Sequence, residues 1–455
     1  MRREKTDIRY IFCVLSLLAA ALSASGCAET PAACCEGDGG VGVADAGPDL
    51  GLVPVVDERF AWPSEESRAT SDPWIVEHHD ELEVMRPRIM VLNFVNARSD
   101  EDVLARVAGI FAAIREATRY HGYEDESARP FIEPELAYVV DLRDEAPPAD
   151  WAFANSTLYP REDPVEGRWG FDYEALFSDA WAERLGVEDP DEPGRFLTLC
   201  ELSERGLVHE VWLYAHLDAA DASAAELITL TPRYDEQGAR TDEPLDRCSG
   251  SSCLDEEDEI PPTCSRTLRI GFVSHNQGAG CFLSTLGHGV EGLASWGSKP
   301  YLGRYFRELA GFDLGTRYEL PFASWYACPF GADCLEYPST SSVRYDVGTS
   351  SGTLDPYVPA CGNAHFAPNS RGHYDISNPE PVLSTCRDYR QGNGLNGADR
   401  AELVSASDWA RYTEVAPGCA GPWNVWWWQS FPGLGNASVD DEGRPMKNWW
   451  PYLYY

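Results

Sequence analysis

Three of the nine histidines stand where residue type and spacing could do chemistry. In Gly287-His288-Gly289-Val290-Glu291 an imidazole and a carboxylate are three positions apart, so on a helix both point to one face. Such a pair can ligate Zn²⁺ together, or the carboxylate can orient the histidine as a general base. A catalytic metal needs a third protein ligand. The best source is His365, in the Gly-, Asn- and Pro-rich run Cys361-Gly362-Asn363-Ala364-His365-Phe366-Ala367-Pro368-Asn369; His373 and Asp375 follow. The spacing therefore points to His288, Glu291 and His365 as a catalytic and zinc-ligating set, with a metal-activated water and hydrolysis of an extracellular polymer as the chemistry. The same residues also fit a buried His–Glu hydrogen bond that ties a helix to a loop.

The elements that must position these groups read as α/β. Apolar runs at 89–95, 136–141, 208–214 and 268–273 have the character of buried parallel strands. Between them, Ser99 is a candidate N-cap for a helix carrying Val103, Val107, Ile110, Phe111 and Ile114, and 173–185 and 196–204 read as helices. A helix over 279–294 would carry His288 away from the fourth strand, near the carboxyl edge where open α/β sheets collect ligands. The expected architecture is a three-layer domain with a largely parallel sheet over 57–296. The Trp- and Cys-rich remainder, 297–455, reads as an irregular, disulfide-braced half packed on the same domain.

Other chemistries lack their signatures. Gly278-Ala279-Gly280 follows a strand but does not complete GxGxxG, and no GxSxG elbow or CxxC pair is present. A net charge of −38 repels phosphate backbones, which excludes nucleic acid as an expected partner. The acidic run 255–259 does not have the spacing of an EF-hand loop. Trp423, Trp426, Trp427, Trp428, Trp449 and Trp450 are expected mainly in the core, with one or two free to line a glycan or peptide cleft.

The first 27 residues carry an address. A basic start, an apolar run of about 12 residues and small residues before Cys27 describe a secretory signal, too short for a membrane span of about 20. Residues 28–56 are poor in large apolar side chains and read as a flexible tether. In an exported chain the ten cysteines from Cys200 to Cys419 are expected to be mostly bridged, with Cys248–Cys253 and Cys328–Cys334 as the local pairs.

Three resemblances add to this reading. Ser23-Ala24-Ser25-Gly26-Cys27 resembles a bacterial lipobox, with Ala24 where leucine is usual. This implies lipidation at Cys27, a membrane tether through that lipid and, with Ala28 following, an outer-membrane location. A His-x-x-Glu pair with a distant His resembles the ligand set of zinc carboxypeptidases. Finally, His209-Glu210-Val211-Trp212, Gly287–Glu291, Gly362–Asn369, Trp426–Pro432 and Asn448-Trp449-Trp450 resemble a group of secreted bacterial proteins of unassigned activity.

Overall fold

A computed structural model describes residues 57–65, 71–95, 98–143, 174–215, 227–235, 239–241, 264–295, 299–392 and 400–455. The signal and tether, the lipidation position Cys27 and the Cys248–Cys253 pair lie outside these residues.

The apolar runs of the sequence form one sheet. Its strands are β1 (Arg88–Asn93), β2 (Glu135–Asp141), β3 (Glu210–Ala215), β4 (Leu227–Leu230) and β5 (Leu268–Ser274), in the order β2-β1-β3-β5-β4. Four of them run parallel, with Val91 registered on Val139 and on Trp212, and Trp212 on Gly271. The edge strand β4 is antiparallel to β5, so the sheet is mixed rather than wholly parallel.

Alternation along the strands splits their side chains between two hydrophobic clusters. Ile89, Val91, Trp212, Tyr214 and Val273 join one cluster with α1 (Asp100–Ala117). Met90, Leu92, Val211, Leu213, Ile270 and Phe272 join the other with α2 (Asp179–Leu185) and α3 (Leu199–Glu204). Helix α1 starts where its sequence says it should. Ser99 and Asp102 form a reciprocal capping box, and three acidic residues occupy the first turn.

The later part of the chain departs from the expectation of an irregular half. After α4 (Ala279–Ser295) comes α5 (Pro300–Leu309), opened by a proline at its first position, and then α6 (Gly421–Gln429). A three-stranded antiparallel sheet of β6 (Leu335–Ser339), β7 (Ser342–Asp346) and β8 (Ser351–Leu354) carries its own small core. Helices α4, α5 and α6 all contribute to the cluster on the α1 face. Helix α6 is buried on every side, so the tryptophan run is a core helix and not an extended strand with two faces. Trp423, Trp426–Trp428, Trp449 and Trp450 are all buried; the tail offers no exposed indole for a sugar to stack on.

Disulfides brace this arrangement. Cys200–Cys264, Cys281–Cys419, Cys328–Cys334 and Cys361–Cys386 are paired, the third being one of the two expected local loops. Among the described residues no helix is long and apolar enough to cross a membrane.

The chain's last segment is stitched to its first elements. The Tyr455 hydroxyl donates to Nδ1 of His79 at 2.7 Å, and His79 Nε2 donates to the Asn448 carbonyl at 2.7 Å. Burial, reinforced by Lys447, lowers the His79 pKa to about 4 from its ordinary 6.5. The unfolded chain therefore takes up this proton before the folded one does. The stabilisation is complete above about pH 6.5 and is lost as pH falls toward 4. We expect about 2 kcal/mol of His79-dependent stability to disappear between pH 7 and pH 5. Urea titrations of wild type and His79→Gln at both pH values check this; a wild-type-minus-variant difference that does not change with pH refutes it.

Candidate functional site

His288 and Glu291 lie on the third and fourth turns of α4 and face the same way, as the spacing predicts. His288 is nine residues into the helix, roughly 14 Å along its axis from Ala279, where the helix begins after β5. The centre is thus not at the carboxyl edge of the sheet, where the sequence had suggested it. Its remaining groups come from the loops before β6 and after β8.

The motif Gly362–Asn369 builds the second wall. Gly362 adopts φ 147°, and a Cβ there would stand 2.2 Å from the Phe366 carbonyl oxygen, so only glycine fits. The Asn363 side-chain oxygen accepts from the backbone N–H of His365 (3.1 Å) and of Phe366 (3.0 Å), which closes the turn. Its side-chain amide reaches the Ala310 carbonyl, and Trp423 donates to its backbone carbonyl. Phe366 enters the core beneath the small sheet. Cys361–Cys386 fixes the base of the loop. His365 is thereby turned toward α4.

The three sequence-predicted residues come together. His288 Nδ1 donates to Glu291 Oε2 at 2.9 Å, and Nε2 of His288 lies 3.1 Å from Nε2 of His365. Glu291 has further partners: Tyr326 donates its hydroxyl to Oε2 (2.9 Å) and the Ala364 backbone N–H donates to Oε1 (2.8 Å). The carboxylate therefore joins helix, turn and loop. His373 extends the chain, with its Nδ1 2.7 Å from His365 Nδ1 and its Nε2 donating to the Cys328 carbonyl at 2.9 Å. Asp375 does not join; it pairs with Arg371.

Two aromatic residues that the sequence reading missed complete the centre. The Tyr374 hydroxyl reaches Nε2 of His365, and Tyr374 holds a left-handed backbone at φ 61°. Phe330 lies flat on His373 with ring centroids 3.9 Å apart, carried by the loop that Cys328–Cys334 closes. His288, Glu291 and His365 are 6–8% exposed, whereas Phe330 and Tyr374 are 39% and 41% exposed. These two rings are the outward face of a centre that is otherwise enclosed. Burial, with His288 and His373 alongside, holds the His365 pKa well below the ordinary histidine value. Burial also lowers His373 to about 4, against the opposing pull of the Cys328 carbonyl. Both rings are neutral near pH 7, and a neutral imidazole keeps a lone pair for a proton or a cation.

Among the described residues no group of three or more His, Cys, Asp or Glu side chains is arranged to hold a metal ion. Glu291 in particular spends both oxygens on protein donors. No protein family, curated protein or solved structure matches the chain.

Proposed function

We propose that this chain is an exported lipoprotein, anchored to the outer membrane through Cys27, and that its histidine centre hydrolyses an extracellular polymer. The proposal includes a three-layer arrangement of the α/β part, supported by the two hydrophobic clusters that divide the strand side chains. One observation carries the chemical reading. A carboxylate aims the Nε2 of His288 at a second imidazole, from a segment 77 residues away, beneath two exposed rings. In that geometry Glu291 fixes the tautomer and His288 Nε2 takes a proton from an attacking water. Entry is past Tyr374 and Phe330.

A second reading is favoured by the burial of His288, Glu291 and His365: the cluster as a clasp between α4 and the loops. One experiment separates the two. Mature protein from the native host is analysed by mass for a lipid-modified Cys27, then assayed against chromogenic esters, peptides, phosphoesters and glycosides. The hydrolytic reading expects turnover that falls about 100-fold or more in His288→Ala, with a nearly unchanged melting temperature. No turnover on any substrate, together with a large fall in melting temperature for His288→Ala, overturns it in favour of the clasp. An unmodified N-terminus beyond Cys27 overturns the anchor.

A further inference from the structure

We infer that the carboxyl edge of the sheet binds one tetrahedral dianionic oxyanion, of the phosphate or sulfate class, through the guanidinium groups of Arg98 and Arg106. The site is separate from the histidine centre and does not depend on the reading of it. His288 stands roughly 14 Å along α4 from the end of that helix that borders Arg106.

The parallel strands β1, β3 and β5 end side by side at Asn93, Ala215 and Ser274, the edge where open α/β sheets collect ligands. Arg98 follows β1, and Arg106 lies on the second turn of α1. Both are half-buried. They meet at one residue in the turn after β5. Arg98 Nε donates to Nδ1 of His275, and Arg106 Nη2 donates to the His275 carbonyl, each at 3.3 Å. Arg106 also donates to the Tyr214 hydroxyl at the end of β3.

Charge is what stays unbalanced here. The chain has 74 acidic and 36 basic residues, so carboxylate partners are abundant. Arg143, on the same edge, pairs with both Asp100 and Asp141. Arg98 and Arg106 form no ion pair with a described carboxylate; the charges that act on Arg106 are Tyr214 and Arg98. Asp102 is near enough to feel Arg98, but Ser99 holds its carboxylate in the α1 cap. Burial lowers the Arg106 pKa from its ordinary value, and Arg98 adds to the shift against the pull of Tyr214. An anion beside both guanidinium groups relieves each effect. Among the described residues the other four N–H donors of Arg98 have no acceptor. Such planar forks match the oxygens of phosphate-type anions. Two positive charges balance a dianion, whereas a carboxylate would leave one unmatched. The positive end of α4 adds to the same field. Acidic groups elsewhere on the surface are screened beyond about 8 Å at physiological salt, so the nearby charges decide. The cavity lined by Arg106, Ser274, Gln277 and Gly278 is about 10 Å³ and has room for about one water, so the oxyanion sits against the arginines and not within it.

The test is calorimetric titration of the oxidised, full-length mature protein with inorganic phosphate, inorganic sulfate and acetate, at low and at physiological salt. We expect one phosphate or sulfate per chain, held more tightly at low salt. Arg98→Gln and Arg106→Gln should each weaken it about 10- to 100-fold. Arg98→Lys, which keeps the charge and loses the fork, should fall in between. Arg115→Gln, in the last turn of α1, is the control and should bind as wild type does. Because Arg106→Gln can disturb the turn after β5, the wild type and Arg98→Gln carry the decision; the Arg98 side chain is tied only to His275. Wild type that keeps its fold yet takes up neither oxyanion overturns the inference. Uptake that Arg98→Gln leaves unchanged, or that Arg115→Gln weakens as much, overturns it too and marks an adventitious ion only. Acetate bound as tightly as phosphate overturns the tetrahedral class. A preference for phosphate over sulfate, or the reverse, tells which oxyanion the edge takes, and either one supports the site.

Discussion

Replacing Glu210 by alanine is expected to cost about 3–5 kcal/mol of folding stability, the effect of stranding a buried charge. Glu210 opens β3 and is 2% exposed. Its carboxylate accepts from Arg269 on the neighbouring strand β5, from the Tyr454 hydroxyl (2.8 Å) and from the Trp212 indole N–H (3.0 Å). Arg269 is 4% exposed and lies 4.8 Å from the centre of the Tyr454 ring. Without Glu210 its guanidinium has no counter-charge and two further donors lose their acceptor. The adjoining cavity of about 10 Å³, lined by Ile89, Trp212 and Tyr454, has room for about one water. A single water cannot replace a carboxylate. Removing both charges in Glu210→Met with Arg269→Leu is expected to be far milder than the single change. Urea denaturation of the three proteins decides; a single-variant loss under about 1 kcal/mol would show that the pair is not electrostatically enclosed.

Gly280→Ala is expected to destabilise by about 3 kcal/mol or more, at the upper end for an overpacked site. A Cβ on Gly280 would stand 2.4 Å from the Gly418 carbonyl oxygen and 2.6 Å from both the Ala416 oxygen and the Gly421 Cα. All three are backbone atoms, so no side chain can rotate away. The reciprocal position is equally closed: a Cβ on Gly421 would meet the Ala416 oxygen at 2.1 Å. Here the first turns of α4 and α6 approach through bare backbone, next to Cys281–Cys419. Gly109 serves as control, with open space around its Cβ position. Thermal unfolding that places Gly280→Ala with Gly109→Ala would falsify the close approach.

These two sites also show what was legible in the sequence. The strand runs were, because burial on both faces writes itself as unbroken apolar residues. Helix α4 was placed within a residue despite its glycines, and its His288–Glu291 face with it. The glycines that counted against the helix are partly what lets α6 pack there. Helix α5 was missed although Leu302, Tyr305, Phe306 and Leu309 have helical spacing behind a proline; surrounding loop composition masked a pattern that was present. Helix α6 carried no such pattern, since a helix buried all round has no polar face to create a period. In the site, histidine and glutamate announce themselves by type. Tyr374 and Phe330 do not, because their roles come from a disulfide loop and a left-handed backbone that bring distant segments together.

The seam between Tyr455 and His79 joins residues 376 apart in the chain, and that between Tyr454 and Glu210 joins residues 244 apart. A ribosome delivers the strands of the sheet long before the helix and rings that cover one of its faces. A nascent chain that stops short of residue 421 has β1, β3 and β5 but lacks α6 and the aromatic cap, and contacts this remote in sequence form slowly. The face of the sheet that α6 covers is thus completed only once residues 421–455 have been made, whereas the cluster on its other face draws on residues 90–272 alone.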